Sequence, residues 1–153
     1  MNVYSKMKEM NITLPKAPAK GGIYSPAKTF GKNLVYISGC GPIIDKPVTG
    51  KLGEEFQVED GQKFSRDCML NVLAVLEAKI GDLNKVKSVV KILTFVAGTS
   101  DFAAQPAVAN GGSQLLVDLF GEEAGAPSRS AIGVNSLPGN IPVETEAIFE
   151  TED

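Results

Sequence analysis

A chain of 153 residues with 43% hydrophobic content is long enough to bury a core and too apolar to stay disordered, which bounds it to one compact domain over residues 1–153. Fifteen basic against 18 acidic residues give a net charge of −3, and the concentrated positive field of a nucleic-acid surface is missing, so RNA or DNA is not expected as a partner. Histidine is absent, which removes histidine triads, histidine zinc sites and histidine general bases.

Residues 1–20 carry lysines and prolines and read as an N-terminal extension, with Ile12 and Leu14 in a possible edge strand limited by Pro15 and Pro18. The polar start does not resemble a signal peptide, and no long apolar run follows, so a cytoplasmic protein with no membrane partner is expected. Gly21-Gly22 and Pro26 flank a brief extended stretch at Ile23-Tyr24-Ser25. Gly31-Lys32-Asn33 reads as a turn before a strand from Leu34 to Ser38, and Gly39-Cys40-Gly41-Pro42 marks a strand end where a backbone can approach a ligand. The two glycines do not make a dinucleotide loop, because Ile44 stands where the third glycine belongs and Pro42 blocks the helix.

Residues 43–59 form a surface excursion, after which the period becomes helical. Phe64, Cys68, Val72, Leu76 and Ile80 keep a four-residue step from about Asp60, a candidate N-cap, to Ile80, with Gly81 as C-cap. Val86 to Ala97 is a long strand with apolar residues on both parities. A second helix runs from Pro106 to Gly121, and Gly111-Gly112 inside it either interrupts it or admits another backbone. Ser130 to Val134 and Val143 to Phe149 are the last strands, separated by the turn Pro138-Gly139-Asn140. The order predicts an α+β fold, a mixed sheet with two helices packed on one face. The other face needs a further layer, and the cheapest is a second copy of the chain.

Few residues can carry chemistry. Cys40 lacks a base partner and reads as a small core residue, while Cys68 lies on the apolar helix stripe. Neither belongs to a metal-ligand motif, so no metal is expected. Arg129 shares a strand parity with Ala131 and Gly133, so a single guanidinium stands on a surface of small residues. It can clamp a carboxylate with two parallel hydrogen bonds, or it can make an intersubunit salt bridge. Glu144 and Glu146 share a parity with Ile148. They are either solvated edge residues or carboxylates that a subunit contact desolvates toward proton exchange near neutral pH. A simple hairpin of the last two strands would leave Arg129 about 17 Å from Glu144, so the two meet only in another register or across subunits. Tyr24 is either a pocket wall or plain surface. Ser38 with the N–H groups of Gly39 and Cys40 can bind an oxygen, and Asn71 either solvates a helix flank or reaches a neighbouring strand.

Pro127-Ser128-Arg129-Ser130-Ala131-Ile132-Gly133-Val134, Leu137-Pro138 and Val143-Glu144-Thr145-Glu146-Ala147-Ile148 resemble the C-terminal signature of the RidA/YjgF/YER057c/UK114 family of reactive-intermediate deaminases, also named endoribonuclease L-PSP. Gly22-Ile23-Tyr24-Ser25, Val35 to Gly39, Asn71-Val72 and Asp101-Phe102 extend the resemblance over most of residues 21–150.

The resemblance implies a chorismate-mutase-like fold and a homotrimer with a barrel-like core and intersubunit clefts. It also implies cofactor-free hydrolysis of 2-enamino or 2-imino acids to 2-oxo acids and ammonia. By position, Arg129 looks like the arginine that holds the substrate carboxylate and Glu144 like the acid that handles water and protons, while Tyr24, Ser38, Gly39, Cys40, Asn71 and Ala131 would contact substrate. The alternative is a non-catalytic binder of small 2-oxo acids in the same cleft. The family's older ribonuclease assignment finds no histidine pair or basic groove here. Ala131 stands where many members have cysteine, Gly133 where many have glutamate, and Gly111-Gly112 where many have a bulky aromatic. These departures, with the longer chain, mark a divergent branch with a reshaped pocket.

Overall fold

The computed structural model describes residues 2–152; Met1 and Asp153, the two ends of the expected domain span, lie outside the described residues. Five strands form one sheet: β1 (Ala27–Phe30), β2 (Leu34–Cys40), β3 (Val86–Ala97), β4 (Ser128–Val134) and β5 (Val143–Thr151), in the order β1-β2-β5-β3-β4. Only the β3–β4 pair is parallel, and the helix α3 (Gln105–Gly125) supplies its crossover. The expected mixed α+β architecture is present.

The helices α2 (Val58–Ile80) and α3 cover one face of the sheet. β5 shows why: Val143, Thr145, Ala147 and Phe149 are buried beneath the helices, while Glu144, Glu146, Ile148 and Glu150 alternate onto the other face. Phe64, Cys68, Val72 and Leu76 are all buried, as the four-residue step requires, and Ile80 is half-buried at the end. Gly81 caps α2 in the left-handed region at φ 82°, as expected. At the start, Gln57 is the N-cap instead of Asp60. Asp60 sits three residues inside and accepts the Gln57 backbone N–H at 2.9 Å, closing a capping box.

The paired glycines of α3 resolve in favour of a close approach. A Cβ on Gly111 would strike the Gln62 carbonyl of α2, and the Gly112 N–H donates to Ser65 Oγ at 3.0 Å. The helix breaks at Gly121 as expected, where φ is 81° and ψ 166°, and a further short helical piece runs on to Gly125.

Two local expectations are corrected, and the pairing of the last two strands, left open above, is settled. Ile12 and Leu14 form no strand; they pack as irregular chain against the core. Before them lies an unexpected helix, α1 (Val3–Glu9), capped by Asn2 and anchored by buried Val3 and Met7. Seven residues with two apolar anchors are too short to display a helical period. Ile23 and Tyr24 lie in a bend instead of an extended stretch, and the first strand begins at Ala27. Finally, β4 and β5 do not form a hairpin, because β3 lies between them.

The second face of the sheet carries exposed Phe30, Tyr36 and Ile132, with Leu93, Phe95 and Ile148 half-buried among them. No described element covers it.

Candidate functional site

Glu144 stands on that second face, opposite Phe95 of β3. On its other flank β2 carries a bulge: Ile37 pairs with Ala147, yet Cys40 pairs with Thr145, so an extra residue is accommodated at Ser38-Gly39. The bulge brings the backbone of Gly39 against the Glu144 side chain. A Cβ at Gly39 would lie 2.8 Å from Glu144 Oε1, so the glycine is what makes room for the carboxylate. Burial first, and the neighbouring Glu146 charge second, raise the Glu144 pKa above the ordinary glutamate value. No hydrogen bond or ion pair among the described residues engages its carboxylate. Glu146 differs, because the Tyr36 hydroxyl donates to its Oε1 at 2.7 Å.

An open groove of about 600 Å³ over these carboxylates is lined by Tyr24, Ser38, Gly39, Tyr36 and Pro138. Tyr24 closes a small loop by accepting the Gly21 N–H at 2.9 Å. The Ser38 hydroxyl donates to the Ser25 carbonyl at 2.7 Å and so fixes the Tyr24 loop to the bulge. Asn71 is a buried staple: its Nδ2 donates to the carbonyls of Gly41 and Ile43 at 2.9 and 3.0 Å, tying α2 to the chain leaving β2. Of the two readings for Asn71, contact with a neighbouring strand segment is the one realised. Cys40 is buried, and desolvation, followed by the Glu144 charge, pushes its pKa up to about 12, so it remains a thiol. Tyr24, Ser38, Gly39, Cys40 and Asn71 therefore converge on one region with Glu144.

Arg129 and Ala131 are not there. Arg129 pairs with buried Ile92 and Ala131 with buried Thr94, so both face the helix layer, on the opposite side of the sheet from Glu144. Two strand spacings and three residues of offset separate the Cα atoms of Arg129 and Glu144 by about 14 Å. Arg129 is held by α3: its Nη1 donates to Asn110 Oδ1 at 2.8 Å and to Ser113 Oγ at 3.1 Å. The guanidinium has five N–H groups, so both Nη1 hydrogens are spent and the Nη2–Nε edge keeps its own. The space expected beside Gly133 is occupied, since a Cβ there would sit 2.8 Å from Gln105 Nε2.

Sequence reasoning missed Asn110 and Ser113, which stand three apart on one side of α3, the spacing that lets two polar side chains serve one guanidinium. It also missed Tyr36, whose strand parity matches that of Glu146 across the β2–β5 pair. Among the described residues no helix is long and apolar enough to cross a membrane.

The family described as Endoribonuclease L-PSP matches residues 14–151. Protein TCP17 of Trypanosoma cruzi is 39% identical over 97% of this chain and 93% of its own length. A 2-iminobutanoate/2-iminopropanoate deaminase of Dermatophagoides farinae is 34% identical over 92% and 95%. A solved structure of an Agrobacterium tumefaciens protein of unknown function superposes with a TM-score of 0.89 at 36% identity, covering 99% of this chain and 94% of its own. A Shewanella oneidensis structure reaches 0.93 at 26% identity over 98% and 99%. Escherichia coli TdcF with bound serine reaches 0.63 at 25% identity over 90% and 94%. With the family model matched over residues 14–151 and the same fold in its solved relatives, the chain belongs to the RidA/YjgF/UK114 family and has its mixed α+β fold.

Proposed function

We propose that this protein hydrolyses reactive 2-imino acids, and their 2-enamino tautomers, to 2-oxo acids and ammonia in a cleft shared between protomers of a homotrimer. The observation that carries the reading is the half-buried, unpaired Glu144 carboxylate with its raised pKa in a groove walled by Tyr24, Ser38 and Gly39. A deaminase relative at 34% identity supports the reaction class.

An enamine is first protonated at C3 to give the imine. The imine carbon is already electrophilic, so a positioned water and a held carboxylate suffice. Glu144 accepts a proton from water as its oxygen adds to C2, then returns it to the amino nitrogen. Glu144 then carries the C2 hydroxyl proton to the same nitrogen, the C–N bond breaks, ammonia leaves, and the C2 oxygen becomes the oxo group. The free Nη2–Nε edge of Arg129 is shaped for the substrate carboxylate, while Asn110 and Ser113 hold the guanidinium.

One chain keeps these two groups on opposite faces, so the reaction needs Arg129 from one protomer beside Glu144 of its neighbour. The uncovered second face, with its exposed Phe30, Tyr36 and Ile132, is the surface such a trimer would bury around a barrel-like core. The test measures decay of 2-iminobutanoate with wild type and Arg129→Ala; a wild-type rate equal to the uncatalysed one overturns the proposal.

TdcF with bound serine favours a second reading, a small-carboxylate binder. Saturable binding of 2-oxobutanoate without turnover of the imine supports it.

A further inference from the structure

Behind the Glu144 groove lies a second cavity of about 340 Å³, enclosed between the end of β2, α2 and the chain that precedes Tyr24. Gly21, Tyr24, Ser38, Gly39 and Pro138 line both spaces, so the cavity and the groove adjoin. Its own surfaces come from Pro18, Ile43, Val48, Val75 and Ile141.

Several polar groups in this lining are already engaged. Both Asn71 amide hydrogens are spent on the Gly41 and Ile43 carbonyls, the Ser38 hydroxyl on the Ser25 carbonyl, and the Tyr24 oxygen on the Gly21 N–H. Cys40 is held as a thiol. Lys20 and Thr49 are exposed. An apolar group entering the cavity between Ile43, Val48, Val75 and Ile141 therefore breaks none of these bonds.

The outer wall is built by the N-terminal segment. α1 is fastened by buried Val3 and Met7 and by the Val3 N–H on Asn84 Oδ1 at 2.9 Å. Ile12, Leu14 and Ala17 then pack along the core and deliver Pro18 to Gly21 to the cavity.

We infer that this cavity is a side-chain subsite, which selects 2-imino acids bearing a bulky apolar substituent such as isobutyl or benzyl over those bearing methyl or ethyl. The inference rests on the deaminase reading above. With a liquid-water share of about 30 Å³ per molecule as the yardstick, a methyl or ethyl group leaves most of the space to water. Each further methylene taken from water contributes about fourfold in binding, so isobutyl against methyl is worth at least about tenfold.

The experiment generates imines from alanine, leucine and phenylalanine with an amino-acid oxidase and measures kcat/KM for their hydrolysis. Leucine- and phenylalanine-derived imines are expected to exceed the alanine-derived one by at least about tenfold. Val75→Phe and Ile43→Trp, which fill the cavity from the helix and from the exposed loop, are each expected to bring that ratio toward one. Ile43 is 48% exposed, so its variant keeps the test alive if Val75→Phe does not fold. A wild-type ratio of one or below, or a ratio that neither variant moves, overturns the inference. If no imine is hydrolysed, the deaminase reading fails, and calorimetry decides the subsite. Tighter binding of 4-methyl-2-oxopentanoate than of pyruvate, lost in Ile43→Trp, sustains it; equal or absent binding overturns it.

Discussion

The two halves of the candidate site are built on opposite physical plans. Around Glu144 the chain withholds partners: a glycine backbone presses on the carboxylate, burial raises its pKa, and nothing among the described residues neutralises it. Around Arg129 the chain supplies them, two side chains from α3 fixing one end of the guanidinium and leaving the other edge. The first arrangement stores reactivity, and the second stores orientation. A carboxylate meant to exchange protons has to be uncomfortable when charged, whereas a cation meant to hold a substrate has to be pointed.

The largest expected effect comes from removing orientation entirely. Arg129→Ala should lower kcat/KM for imine hydrolysis by on the order of 1000-fold, read in a coupled ammonia assay, with the fold unchanged by circular dichroism. Glu144→Gln should cost on the order of 100-fold, since it removes one proton-transfer group but leaves the clamp. In wild type, activity should fall with decreasing pH through the raised Glu144 pKa, so the acid limb of the kcat/KM profile should lie above the ordinary glutamate range and vanish in Glu144→Gln. An acid limb unchanged in the variant would assign the titration elsewhere.

Asn110→Ala tests whether orientation is separable from charge. The guanidinium remains but loses one of its two anchors, so a loss of about tenfold, mostly in KM, is expected. Equal proportions of Arg129→Ala and Glu144→Gln protomers, refolded together, test the trimer directly. Random assortment pairs an intact arginine with an intact glutamate in about a quarter of the clefts, so activity should recover to about a quarter of wild type. No recovery would place both groups' work in one protomer.

The smallest effect concerns stability. The folded-state pKa of Glu144 is raised, so between its unfolded and folded values the native state binds more protons than the unfolded one. Stability therefore falls as pH rises through that window. Glu144→Gln should melt a few degrees above wild type at neutral pH, with the gap narrowing below the unfolded pKa.

Long periodic elements were readable from sequence. The four-residue step of α2, the Gly81 cap and the strand from Val86 to Ala97 each repeat a local rule often enough to outweigh noise. Short elements were not. α1 has only Val3 and Met7 as anchors, and β1 lies four residues beyond the nearest strand-like signal at Ile23. The convergence of Tyr24, Ser38, Gly39 and Asn71 near Glu144 was anticipated through the family resemblance. The opposed faces of Arg129 and Glu144 could not be read locally, because they follow from β3 inserting between β4 and β5, a long-range pairing that no local period encodes.

Gly111 touches neither half-site, yet it lies where the two helices behind them meet. It is where α3 comes to rest on the Gln62 carbonyl of α2, and the adjoining Asn110 orients Arg129 while Asn71, farther along α2, pins the loop beside Glu144. In the proposed trimer each protomer would offer a donor edge to one neighbour and an acceptor groove to the other, with one helix crossing behind both. A single methyl at Gly111 would spread the helices and, in that assembly, detune every cleft at once while leaving Arg129 and Glu144 in the chain.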